Sequence, residues 1–214
     1  MTRTYEEFED ARATRRETLA LVEKLGQEQS EHKPGAEKWS VGEVLDHLLH
    51  VDAVFVREIA VALDQRRRGL PFVYRGLADV DSNVPWVLRP ILPFLEVPFG
   101  LFNVLVPPRL RRFLIRDRRL PGQAPRVLWP RFGRPIGTLR EELLETFRTL
   151  EEQQRDHPEF DLDNLYYYNS IVGLQSIPGM YRFAANHEKR HQEQLREILD
   201  DEDFPEKSPP APLS

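Results

Sequence analysis

From Ser40 to Gly69 the chain carries one long helical signature. Ser40-x-x-Glu43 is a capping box, in which a serine hydroxyl and a glutamate three residues on satisfy each other's free backbone donors. Val41, Val44, Leu45, Leu48, Leu49, Phe55, Val56, Ile59 and Leu63 then recur at three- and four-residue steps up to Gly69. At about 1.5 Å per residue this helix is roughly 40 Å long.

Three further segments have the same character. Thr4-x-x-Glu7 reads as a capping box before Tyr5, Phe8, Leu19, Val22 and Leu25, with Gly26 as the stop and Pro34-Gly35 as a turn. Thr138-x-x-Glu141 reads as a third box, opening a helix through Leu139, Leu143, Leu144, Phe147 and Leu150. Ser176 followed by Pro178 in the first turn caps the last helix, whose stripe is Met180, Ala184, His187, His191, Leu195 and Ile198. The run 161–177, with Tyr166-Tyr167-Tyr168-Asn169, has no clear period and reads as loop with some short helix. Four amphipathic helices without alternating strands predict an all-α fold, an antiparallel four-helix bundle. A long proline-rich insertion, residues 70–137, crosses over between its second and third helices. The expectation is a single domain over 1–203 and a disordered, proline-rich tail over 204–214.

Within the insertion, 83–108 is strongly apolar but is broken by Pro85, Pro90, Pro93, Pro98, Pro107 and Pro108 and carries Arg89 and Glu96. A spanning helix needs about 20 uninterrupted apolar residues, so short helices and turns over the bundle are the favoured reading. Arg109, Arg111, Arg112, Arg116, Arg118 and Arg119 then interleave with apolar residues. A solvated basic face is the preferred account, and contact of residues 84–119 with an anionic membrane or acidic partner is the alternative.

The net charge of −5 argues against general nucleic-acid affinity. No cysteine is present, so no disulfide, thiolate metal site or thiol nucleophile is available. The first residues carry no apolar run after a basic start, and a cytoplasmic location is expected.

His187 and His191 stand four residues apart on the apolar stripe of the last helix, one turn above each other, so both rings can reach one cation. Two neutral imidazoles in a core need partners for four ring nitrogens, and one metal ion satisfies two of them. The bland account of a bare HxxxH is a pair of hydrogen-bonded or solvated histidines, and a third histidine weighs against it. His47 supplies one, from the flank of the apolar face of the second helix. His50 falls on a more polar arc. Asp52 falls in the apolar arc, where it could orient a ligand or simply bond a tyrosine or arginine.

Trp39-Ser40-Val41-Gly42-Glu43-Val44-Leu45-Asp46-His47-Leu48, followed much later by His187-Glu188-Lys189-Arg190-His191-Gln192-Glu193-Gln194-Leu195, resembles the DinB/YfiT superfamily of bacterial proteins. The segment Ala124-Pro125-Arg126-Val127-Leu128-Trp129-Pro130 is similar to the proline-bracketed segment found there. The resemblance covers roughly residues 4 to 200. It implies a four-helix bundle, commonly a homodimer, with His47, His187 and His191 as ligands of a divalent metal, zinc or nickel. It also implies a small-molecule substrate, since members with these ligands include transferases that use low-molecular-weight thiols as cosubstrates. The insertion is longer than the usual connection.

Three neutral histidines leave a dipositive ion at least one position for water or substrate, the arrangement of catalytic zinc. Such an ion lowers the pKa of a bound water or thiol, so a metal-dependent small-molecule hydrolase is the alternative to thiol transfer. His187-Glu188-x-x-His191 also matches the HExxH pattern of zinc peptidases, with Glu188 as general base, but no third ligand follows the motif. Otherwise Glu188 is a surface residue or a neighbour that steadies a ligand. A non-enzymatic metal-binding or interaction module is the remaining reading.

Overall fold

The computed structural model describes residues 2–70, 73–75, 128–155, 160–169 and 173–206. The proline-broken stretch 83–108, the arginine-rich 109–119 and the tail beyond 206 lie outside the described residues.

Helix α1 spans Arg3–Val22 and starts before its sequence signal, capped by Thr2 in place of Thr4. Thr2 is the cap, its hydroxyl accepting from the Tyr5 N–H at 3.3 Å. The expected Thr4–Glu7 box does not form, because the Thr4 hydroxyl and N–H both donate to Asp163, at 2.6 and 2.7 Å. A long-range carboxylate therefore replaces the local cap and ties α1 to the short 3-10 turn Leu162–Asn164. The buried face is also more polar than expected: Phe8, Ala11 and Val22 share it with Thr14, Arg15 and Thr18, whereas Tyr5 is exposed. Gly26 does not simply end α1 but opens a short helix α2, Gln27–Glu31.

Helix α3, Val41–Arg67, carries the expected box, with Glu43 N–H on Ser40 Oγ at 3.2 Å and Ser40 N–H on Glu43 Oε2 at 2.8 Å. It stops at Gly69, whose φ of 74° is a left-handed conformation that glycine adopts without strain. A Cβ on Gly42 would lie 3.2 Å from the Ser30 carbonyl, so α2 crosses α3 closely at that point.

Helix α4, Ile136–Arg155, begins before Thr138, which leaves Thr138 and Glu141 inside the helix and the third expected box unformed. Its first donor is capped from a neighbour instead: the Ile136 N–H donates to Gln27 Oε1 at 3.0 Å. Helix α5, Ile177–Leu199, has the expected Ser176 cap, accepting from Gly179 N–H at 3.2 Å, with Pro178 in its first turn.

A three-stranded sheet stands where the sequence predicts none. β1 (Val73–Arg75) pairs in parallel with β2 (Tyr166–Asn169), which pairs antiparallel with β3 (Gly173–Ser176) in the register Tyr166↔Ser176. The tyrosine-rich run suits a pleated strand, but four residues are too short for alternation to register.

Cross-helix contacts give the directions. Glu7–Arg182, Arg15–Glu188 and Thr18–Gln192 ascend together, so α1 and α5 run parallel. The Val56 carbonyl bonds Gln153, and Val41 and Val44 share a core with Ile136 and Leu139, so α3 and α4 also run parallel. His47 meets His191 while Phe55 meets Phe183, so the two pairs oppose each other. One apolar cluster holds Val22, Leu45, Leu48, Leu143 and Leu195, and the other Phe8, Phe55, Phe147, Met180 and Tyr181. Each fully buried aliphatic or aromatic side chain stabilises the fold by about 1.5–3 kcal/mol. Packing continues past α5: Phe204 lies edge-on to His32, and Gln29 donates to the Pro205 carbonyl. Among the described residues no helix is long and apolar enough to cross a membrane.

Candidate metal centre

His47 projects from the second turn of α3 and is buried, deeper than the border position expected for it. His187 and His191 face it from α5. The structure thus brings together the three histidines singled out from the sequence, from segments 140 residues apart.

The ring atoms that meet are all Nε2. His47 Nε2 lies 3.4 Å from His187 Nε2, which lies 3.3 Å from His191 Nε2, and one donor atom from each ring falls within 4.8 Å of the others. Metal–imidazole bonds of about 2.0–2.1 Å at a tetrahedral angle separate neighbouring donor atoms by about 3.3–3.4 Å. Both resolved edges match that value.

The outer nitrogens decide which atoms carry protons. His47 Nδ1 is 2.7 Å from the Leu128 carbonyl and His191 Nδ1 is 2.9 Å from Gln194 Oε1. Each partner accepts only, so each Nδ1 donates and each neutral ring turns an Nε2 lone pair toward the common point. A single proton on His187 Nε2 can reach only one of the two facing lone pairs, leaving the other to the Arg190 guanidinium at 3.4 Å, whereas one cation between the rings bonds all three nitrogens at once.

The surroundings keep the rings neutral. Burial pushes His187 well below the ordinary histidine range, with smaller contributions from His191, His47 and the Arg190 guanidinium. Burial also lowers His47, opposed by its bond to the Leu128 carbonyl. Neutral imidazole is the form that binds a metal ion. Trp39 lies 4.9 Å from the His47 ring and stacks at 6.2 Å on His191, while Phe183 stacks at 6.0 Å on His187. Arg190, three residues beyond His187 on the same helix, brings its NH2 to 3.4 Å from His191 Nε2.

Asp46 fixes this geometry from below, a role the sequence reading did not give it. Its fully buried carboxylate accepts from the Arg131 N–H at 2.7 Å, from Arg131 NH2 at 3.0 Å and from Arg134 NH1 at 2.8 Å. Burial alone would raise its pKa, but the arginine bonds outweigh burial and lower it. The segment so clamped carries the Leu128 carbonyl that orients His47. The one available signal was the position of Asp46, a charge next to His47 in a run of apolar residues. His50 stands apart from the three rings, its Nε2 3.5 Å from Asp46.

Asp52 takes the second of its two expected roles, bonding an arginine, and Glu188 joins it there: both meet at Arg15. Arg15 NH2 is 2.8 Å from Asp52 Oδ2, and its Nε and NH2 lie 2.7 and 3.0 Å from the two oxygens of Glu188. All three are buried. Burial beside Glu188 raises Asp52 to about 6 against the pull of Arg15. With both oxygens on the guanidinium, Glu188 is not placed as the general base of an HExxH peptidase.

Compared with known proteins, the chain matches the family model described as the DinB superfamily over residues 10–195. No curated protein and no solved structure matches it.

Proposed function

This chain belongs to the DinB superfamily, and on that premise we propose that it is a divalent-metal-dependent enzyme built on a four-helix bundle, using zinc or nickel to act on a low-molecular-weight thiol. His47, His187 and His191 are the ligands in this reading. The observation that carries it is the meeting of three Nε2 atoms within 4.8 Å, with the two edges at His187 of tetrahedral length and two of the outer nitrogens already committed as donors.

An ion held by three imidazoles supplies a Lewis-acid position at which a thiol or water ionises near neutral pH. The chain's own residues do the rest. The Leu128 carbonyl and Gln194 hold two rings in the metal-binding tautomer, Asp46 holds the segment that presents Leu128, and Trp39 and Phe183 flank the rings with apolar surface. With no cysteine in the chain, the reacting sulfur comes from a second small molecule. The electrophile it attacks is then the second substrate.

The test is metal analysis of protein purified without a histidine tag, combined with consumption of low-molecular-weight thiols in the presence of a generic electrophile. The expected result is about one metal ion per chain and thiol turnover that vanishes in His47→Ala. Hydrolysis of small esters or amides without thiol use would assign the site to a hydrolase, and metal without any turnover would leave a binding module.

A further inference from the structure

The three imidazoles come from two helices, so the spacing between His47 and the other two depends on how far α5 is slid along α3. A slip of one residue along a helix axis moves a side chain by about 1.5 Å. A metal-binding set works only within about 0.5 Å of its geometry. Apolar contacts such as Phe55 against Phe183 keep the helices together but are not directional, so they hold the axial position weakly. Hydrogen bonds are directional, and charge-assisted ones are the strongest.

Such bonds lock α5 to α1 at successive turns. Arg182 is bonded to Glu7, Lys189 to Asp10, Glu188 to Arg15, and Gln192 to Thr14 and Thr18. Of these ties, the one at Arg15 continues onto α3. Its NH2 donates to Glu188 Oε2 at 3.0 Å and to Asp52 Oδ2 at 2.8 Å, while its Nε holds Glu188 Oε1. Glu188 directly follows His187, and Asp52 lies on α3 just beyond His47. One planar cation thus joins the two ligand-bearing helices close to their histidines. A lysine carries the same charge, but donors on a single atom do not reproduce a fork that spans both Glu188 oxygens, Asp52 and the Leu143 carbonyl.

We propose that Arg15 is a positioning residue of the metal centre, setting the register of α5 against α3 and with it the distances from His47 Nε2 to the Nε2 atoms of His187 and His191. It acts through Asp52 and Glu188. The glutamate of the His187-Glu188-x-x-His191 run is then the α5 end of a clamp. The inference rests on the metal-centre reading above and deepens it.

Cobalt(II) tests it, because its visible absorption changes in strength and position with coordination geometry. The parent chain is expected to take up cobalt and His47→Ala to lose it. Asp52→Leu frees α3 from the clamp but leaves Arg15 paired with Glu188, so no charge is stranded and the fold is kept. Its cobalt affinity should fall about 10- to 100-fold, with an altered visible spectrum, while its urea midpoint stays close to that of the parent. Arg15→Lys should show the same two changes with a lower midpoint; if it does not fold, Asp52→Leu decides. Leu150→Ala truncates the core on α4, which carries none of the three histidines. It should lower the midpoint yet keep the affinity and spectrum of the parent. Parent-like cobalt affinity and spectrum in Asp52→Leu, or an equal loss in Leu150→Ala, overturns the role of Arg15 and leaves the metal centre standing. If the parent takes up no cobalt, or His47→Ala takes it up equally well, the metal centre and the role of Arg15 fall together.

Discussion

Arg15 and Glu188 form a two-pronged ion pair in the middle of the α1–α5 interface, with Nε–Oε1 at 2.7 Å and NH2–Oε2 at 3.0 Å. The same guanidinium holds Asp52 of α3, donates to the Leu143 carbonyl of α4 at 3.2 Å and lies 5.0 Å above the Phe147 ring. One side chain thus touches all the other long helices. Burial opposes its charge, but the two carboxylates raise its pKa further still.

Removing that cation strands two carboxylates in the core. Arg15→Met is expected to cost about 3–5 kcal/mol, as for other buried pairs broken from one side. A urea titration followed by circular dichroism reads the loss. Combining Arg15→Met with Asp52→Asn and Glu188→Gln should recover part of it, since no buried charge is then left alone. An unchanged midpoint in the single variant would refute the account.

Acid acts through the imidazoles. Because burial sets His47 and His187 below their ordinary range, the unfolded chain takes up protons there that the folded chain refuses. Their contribution to stability is fully present above about pH 6.5, and it is lost as pH falls through the folded values, by up to about 1.4 kcal/mol per group for each pH unit. Metal affinity follows the same sign, nearly constant from pH 8 to pH 7 and falling only in acid. Zinc release already half complete at pH 7 would contradict it.

Trp39 makes the centre visible. Its ring lies 4.9 and 6.2 Å from those of His47 and His191. Nickel, with an open d shell, should quench tryptophan emission on binding, while d10 zinc should not. Most of the nickel effect should disappear in Trp39→Phe. Quenching that survives this change would place the ion elsewhere.

Asp46→Asn tests support at one remove. The amide keeps the shape of the side chain but weakens its bonds to Arg131 and Arg134, and so loosens the segment that presents the Leu128 carbonyl. Metal affinity should fall about 10- to 100-fold, the usual cost of losing support behind a metal ligand. Calorimetric metal titration measures it, and helical content should stay as in the parent.

Much of this was legible in the letters. The Ser40–Glu43 box, the Ser176 cap and the apolar stripes of α3 and α5 are local signals, and they located those helices, placing His187 and His191 on an inward face and His47 at the flank of another. Apart from the β2–β3 pairing, whose strands are too short to show alternation, the failures share one cause, which is distance along the chain. Thr4 was taken from its local box by Asp163, 159 residues away, and the start of α4 was capped by Gln27, 109 residues away. Nothing local singles out Arg15, because its two carboxylates lie in other helices. A parallel pair of strands joined across the insertion leaves no local trace either.

The His47 ring is steered by a main-chain oxygen at position 128. Every amino acid brings that oxygen, so the identity of residue 128 can drift without turning the ring, provided the backbone keeps its course. What inheritance must guard there is the path of the chain, and the residue that guards it is a different one, the aspartate next to the histidine.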